Sequence, residues 1–220
     1  MNSRLFSSTL DEDTGKEPDF TTTQYLQGSA TNYVNLQNKS TAINSPNREA
    51  DLTQPLLIIL RGAGGVGKSS VGDRLEEKIA ESVHIDVDEF KVQAKNYLSN
   101  TQKRLAGRTV ANLYLEDAMK QHKPIIISEC FIDEYLDEVK LRASSKGYDA
   151  QTFYIASSLE DCLTRNRTRP KKLSDEHIIN RYQSIRPNVE DTIIRNNPQK
   201  LDQAADSIIE QFSNYKVNAA

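Results

Sequence analysis

The chain has 220 residues, 37% hydrophobic and 27% charged, with a formal net charge of -3 and a mean hydropathy of -0.63. No stretch reaches the ~18 to 20 apolar residues of a membrane span, and the first residues lack the apolar segment of a secretory leader. Two cysteines, Cys130 and Cys162, are too few for a disulfide-built scaffold, so a reduced, cytoplasmic setting is expected.

Polarity is concentrated at the start. Residues 1–54 hold 6 Ser, 8 Thr, 6 Asn and 4 Gln, with 4 basic and 7 acidic residues. They show no sustained period of 3.6 or 2 and few large apolar groups to offset their ordering entropy. Residues 1–54 therefore read as a disordered polar tail, in which a short helix around Tyr25 to Leu36 is the local element considered. Residues 55–220 carry 24 basic and 24 acidic residues. That neutrality argues against attachment to duplex nucleic acid by bulk charge, while leaving room for a local basic cleft.

From residue 55 the chain alternates between two periods. Leu56 to Leu60 is a continuous apolar run, a strand buried on both faces. Val71, Leu75 and Ile79 follow as a helix stripe. Val83 to Val87 reads as a strand, and Val110, Leu113, Tyr114 and Ala118 as another helix. Pro124 to Ile127 is a strand, then Leu136, Val139 and Ala143 mark a helix that Gly147 ends. Thr152 to Ala156 is a strand, and Ser158 to Asp161 resembles a capping box opening a helix. Ile178, Ile179, Tyr182 and Ile185 form a further stripe, and Asp191 to Ile194 the last strand. Asn197 and Pro198 have the types of an N-cap and first helical residue, leading into Leu201, Ala204, Ala205, Ile208, Ile209 and Phe212. Strands alternating with helices imply an α/β fold: three αβα layers around a parallel sheet of about five strands.

Directly after the first strand comes Gly62-Ala63-Gly64-Gly65-Val66-Gly67-Lys68-Ser69, then Ser70. This is G-x-x-x-x-G-K-[ST] between a strand and a helix, the P-loop or Walker A context. A chance match in a chain of this length is on the order of one in a hundred at ordinary glycine frequency. The glycines let backbone N–H groups turn inward around phosphate, and the new helix adds its positive end. Lys68 places a positive charge between the β- and γ-phosphates, and the Ser69 hydroxyl can ligate magnesium. The pattern points to a P-loop NTPase fold and to ATP with Mg2+ as cofactors.

Two P-loop classes fit poorly. GTPases carry Asn-Lys-x-Asp after a late strand, where this chain has Arg195-Asn196-Asn197-Pro198. Motor ATPases end an apolar strand in Asp or Asp-Glu, where Ile125-Ile126-Ile127-Ser128-Glu129 ends in one Glu. The compact kinases remain. Asp86 and Asp88 follow the second strand, where a carboxylate can take the proton of an attacking hydroxyl. Asp88 is the candidate base and Asp86 a support for magnesium or the loop. An N-capping role for Asp88 stands beside that reading. Arg165, Arg167, Arg169, Lys171 and Lys172 surround Pro170 at a helix end. They suit a lid whose cations neutralise the transferring phosphoryl group, with Arg165 and Arg169 on one face. They also suit a solvated helix C-terminus. Arg181 and Arg186 are candidates for a second contact.

In this order, residues 56 to 213 resemble the small P-loop kinases that include bacteriophage-type polynucleotide 5'-hydroxyl kinases and zeta toxins. Ile85 to Lys91 is similar to their strand-end segment, which implies that Asp88 is the general base and Lys91 a contact to substrate phosphate. Ile126 to Cys130 is similar to the segment where zeta toxins carry a substrate-contacting Glu, which implies that role for Glu129. Lys146 to Asp149 is also similar to both groups. The lid spacing is matched by Arg165, Asn166 and Arg169, implying that Arg169 is the lid arginine. Two positions depart from the pattern: Val66 stands where Ser is frequent, and Lys91 replaces an Arg.

The resulting expectation is a kinase domain at 55–220. It would move the γ-phosphate of ATP to a hydroxyl of a small nucleotide-like or sugar acceptor, with short nucleic acid as a further acceptor. The alternatives are a nucleotide-dependent regulatory module, with the tail binding a partner, and a true polynucleotide 5'-hydroxyl kinase.

Overall fold

The computed structural model describes residues 55–93, 98–132, 134–170, 172–197 and 201–215. The tail of residues 1–54, including the helix considered there, lies outside them, as do Lys171 and Pro198. Five strands form one parallel sheet: β1 (Leu56–Arg61), β2 (Val83–Asp86), β3 (Ile125–Ser128), β4 (Asp149–Ala156) and β5 (Thr192–Arg195). Their order is β2-β3-β1-β4-β5. Among the described residues seven helices connect and cover them: α1 (Lys68–Lys78), α2 (Val87–Gln93), α3 (Asn100–Lys120), α4 (Tyr135–Ser145), α5 (Leu159–Thr168), α6 (Asp175–Ser184) and α7 (Leu201–Tyr215).

Alternation along β1 creates the layers. Leu56, Ile58 and Leu60 face Val71 and Leu75 of α1, Cys162 of α5, Ile178 of α6 and Ala204, Ala205, Ile208 and Phe212 of α7. Leu57 and Ile59 point the other way, against Ala111, Leu115 and Met119 of α3 and Leu136, Val139 and Ala143 of α4. Each fully buried Leu or Ile is worth roughly 1.5–3 kcal/mol. The continuous apolar run therefore places β1 at the centre, where both faces are covered.

Register puts the strand ends in one line. Asp86 is level with Ser128, Ser128 with Leu60, Leu60 with Phe153, and Phe153 with Thr192. The residues just beyond this line share the C-terminal edge, and the strand order reverses at β1, which is where open α/β sheets bind ligands.

Several local expectations shift. β2 ends at Asp86, and Val87 already begins α2. β4 starts earlier, at Asp149, because Leu56 pairs with it there. β5 runs one residue later than read. Ser158 accepts the Asp161 N–H at 3.0 Å, a one-sided cap, whereas the reciprocal capping box is Ser99 with Gln102. The inner face of α3 is Gly107, Ala111, Leu115, Ala118 and Met119. Leu113, assigned to that stripe from sequence, is half exposed.

Candidate phosphoryl-transfer site

The loop between β1 and α1 needs its glycines for two reasons. Gly62, Gly65 and Gly67 have φ of 141°, 84° and 95°, which side chains disfavour. A Cβ on Gly62 would also lie 2.7 Å from the Ile155 carbonyl, and one on Gly65 2.9 Å from that of Cys162. Ala63 and Val66 are buried, while Gly64 approaches Ile178. Lys68 opens α1 and folds back over the loop, donating from Nζ to the Gly62 carbonyl at 3.0 Å and the Ala63 carbonyl at 3.1 Å. Its ammonium is thus held buried at the loop. Ser69, half-buried, and Ser70, exposed, follow in the first turn of α1.

Two residues from the other side of β1 brace this loop. Arg165, on α5, donates from Nη1 to the Gly65 carbonyl at 2.9 Å. Asn196, just past β5, is buried and donates to the Val66 carbonyl at 2.7 Å. From sequence, Asn196 has no role beyond its failure to match the guanine motif; the signal for it is its place just past a strand, at the ligand-binding edge. The lid candidate Arg169 is exposed and forms the C-cap of α5. Asn166 secures the base of that segment by bonds to both the carbonyl and the N–H of Leu173.

Across the site, Asp86 Oδ1 accepts the Asp88 N–H at 2.9 Å. The cap at the start of α2 is therefore Asp86, which leaves the Asp88 carboxylate for other partners. Lys91 Nζ lies 2.8 Å from Asp88 Oδ1 and 2.5 Å from Glu129 Oε1. Glu129 is 1% exposed and also accepts from Arg108 Nε, at 3.1 Å and 3.3 Å. Gly107 makes room for this arrangement, since a Cβ there would lie 2.7 Å from Lys91 Cγ. Arg108 stacks over Tyr135 at 4.3 Å. Sequence reading missed Arg108, which no local pattern separates from the other cations of α3.

Burial pushes the Asp88 carboxyl up, but Lys91, Lys68 and Arg169 together outweigh it and hold it below its ordinary value. Burial likewise disfavours the Lys91 ammonium, and Asp88 and Glu129 overcome that and raise it. Asp88 is therefore ionised at neutral pH, in a field to which Lys68 and Arg169 both contribute.

Among the described residues no group of three His, Cys, Asp or Glu forms a metal cage. The chemistry of the donors fits magnesium nonetheless: one hydroxyl, Ser69, and one carboxylate, Asp86, suit an ion that keeps several waters and binds largely through substrate phosphates. No described helix is long and apolar enough to cross a membrane.

Comparison with known proteins bears on the family and the fold. Residues 40–217 match the Zeta toxin family. No curated protein sequence matches significantly. The PezAT chromosomal toxin-antitoxin structure of Streptococcus pneumoniae superposes with a TM-score of 0.57 at 17% identity, covering 89% of this chain and 96% of the other. The Mycobacterium tuberculosis APS kinase, in complex with AMPPNP and APS, gives 0.54 at 18% identity, with 71% and 96% covered. A gluconokinase from Sinorhizobium meliloti gives 0.52 at 15%, with 76% and 98% covered. These likenesses share the fold, and the family match spans most of the sequence: the chain belongs to the zeta toxin family of P-loop phosphotransferases.

Proposed function

We propose that the chain is a kinase that transfers the γ-phosphate of ATP to a hydroxyl of a small nucleotide-like or sugar acceptor in the cytoplasm. The observation that carries this reading is the Asp88 carboxylate, left free of capping by Asp86 and held by Lys91 at 2.8 Å, at the same sheet edge as the P-loop lysine, Lys68. Residues 55–220 are taken as the catalytic domain and 1–54 as a separate tail.

Lys68 and the backbone N–H groups of residues 62–69 hold the triphosphate, with Ser70 beside them. Ser69 and Asp86 would hold Mg2+, which when bound draws charge from the phosphate oxygens. The acceptor O–H gives its proton to Asp88 as its oxygen attacks the γ-phosphorus. The bond from that phosphorus to the bridging oxygen breaks, and ADP leaves. Arg165 and Arg169 offset the charge that spreads over the phosphoryl oxygens. Lys91 meets the acceptor directly. Glu129, being buried, acts on it through Lys91 and Arg108. The APS kinase and gluconokinase structures support a small acceptor, since their names place such acceptors on this fold.

A screen of hydroxyl acceptors with labelled γ-phosphate tests the proposal. Acceptor-dependent ADP release is expected. A rate indifferent to every acceptor would favour a regulatory module with incidental ATPase activity. Acceptor binding that falls with salt at a logarithmic slope of about four or more would instead favour a polynucleotide kinase, since each phosphate contact contributes ~0.7 to 0.9.

A further inference from the structure

Arg181 and Arg186 follow the lid cluster, one in α6 and one just past its end. They line a cleft of about 510 Å³ together with Arg61, Phe131, Leu136 and Asn188. That volume lies within the ~300–1,000 Å³ typical of small-ligand sites.

The cleft is unevenly charged. Arg61 pairs with Asp191 and sits 5.7 Å from the Tyr154 ring centroid, while its Nε, buried, has no acceptor. Arg186 donates to the Tyr182 carbonyl, one turn back, at 3.5 Å. Among the described residues neither Arg181 nor Arg186 is paired with a carboxylate. Asp137 is the carboxylate of the lining, set against three arginines.

The walls are fixed in advance. Asp191 accepts the Asn188 N–H at 2.6 Å as well as Arg61, and Lys140 bonds Glu190 at 2.8 Å, so the turn from Asn188 to Asp191 is tied to β1 and to α4. Opposite, Phe131 is buried at a φ of 49°. A bulky residue in the left-handed region is strained, and such strain persists where the surroundings over-determine it, commonly at ligand sites. Ile132, 41% exposed, gives the cleft an apolar side over the buried Phe131 and Leu136.

From these features we infer that the cleft binds a phosphate monoester with a ring-sized organic body, apart from the triphosphate held at the P-loop. Arg181 and Arg186 take the phosphate, because guanidinium forks match its oxygens. Ile132 meets the body. The inference does not depend on Asp88 being the base.

The test is calorimetry on the full chain with the P-loop saturated by Mg-ADP, titrating ribose 5-phosphate and, separately, inorganic phosphate. Ribose 5-phosphate should bind, and more tightly than inorganic phosphate. Arg181→Gln with Arg186→Gln should weaken it by ~tenfold or more, as expected for losing charge-assisted bonds. Ser184→Glu, on the exposed lining, should also weaken it and serves if the double variant fails to fold. Lys68→Ala should still bind ribose 5-phosphate after losing Mg-ADP. Absence of binding at millimolar ribose 5-phosphate, wild-type affinity in the arginine and Ser184→Glu variants, or displacement by Mg-ADP would each overturn the inference. Equal binding of inorganic phosphate would overturn the apolar wall. A chain without kinase activity would give the same binding result, so the two readings fail separately.

Discussion

The Asn196 side chain reaches from the end of β5 to the Val66 carbonyl, 2.7 Å away and 130 residues earlier in the chain. It lies so close to Gly67 that a Cβ there would collide with its amide. The edge of the sheet thereby holds the phosphate loop in shape from outside the motif.

Asn196→Ala should leave the Val66 carbonyl without its donor, at about 1–3 kcal/mol for a buried group. Nucleotide affinity should fall, with a smaller change in maximal rate once nucleotide is saturating. Calorimetry with Mg-ADP, beside a thermal melt, checks this. A lower melting point with unchanged affinity would reduce Asn196 to a packing role.

Lys68→Ala should abolish measurable triphosphate binding and transfer while preserving a cooperative melt. Lys68 donates to two loop carbonyls, and its one reach beyond the loop is a long, weak contact to Cys130 Sγ at 3.9 Å, so the fold loses little without it. Equal ATP affinity in wild type and variant would refute the loop's role.

Asp88→Asn should reduce transfer by ~10² to 10⁴ with nearly unchanged nucleotide affinity. Since Asp86 provides the cap and Asp88 is half exposed in its pair with Lys91, the melt should fall only slightly. The pH dependence has a definite sign. Asp88 in the fold titrates below its unfolded value of ~3.9, so its contribution to stability is full above that value and fades as pH falls through the lower folded one. The acid limb of the transfer rate should lie below the ordinary carboxylate range. Lys91→Met should move that limb to higher pH, because Lys91 is the largest of the influences lowering Asp88. An unmoved limb in Lys91→Met would remove Asp88 as the titrating base.

Glu129→Ala strands Lys91 and Arg108 around an empty buried position. Breaking a buried ion pair from one side costs about 3–5 kcal/mol, so the melting point should drop well below that of Asp88→Asn. Chemical denaturation of the two variants side by side provides the comparison. Similar stabilities would mean that water enters and solvates the two cations.

The chemistry was readable where it is local. The P-loop is one continuous motif, Asp86 and Asp88 stand where a strand runs into a helix, and Lys91 and Glu129 enter only through the family resemblance. Asn196 and Arg108 were not readable, because each matters through a partner distant in sequence: Val66 for one, Glu129 for the other. The α3 stripe was misread for a packing reason. Where Lys91 lies against α3 the inner residue must be small, Gly107, and the small Ala111 follows on the same face, so counting large apolar groups selects the half-exposed Leu113 instead. Arg181 and Arg186 were readable as a pair of cations but not as neighbours of Arg61, which lies 120 residues before Arg181.

The two apolar layers meet different strands. Val83 and Ile85 of β2 serve the α3 side, and Ile194 of β5 serves the α7 side, whereas β1 and β3 contribute to both. Local opening can dissolve one layer and free an outer strand while the other layer survives. Backbone amides of β1 and β3 should accordingly exchange with heavy water last, and only through global unfolding. Ligand-driven loosening at either edge can then proceed without disturbing the strand that carries the phosphate loop.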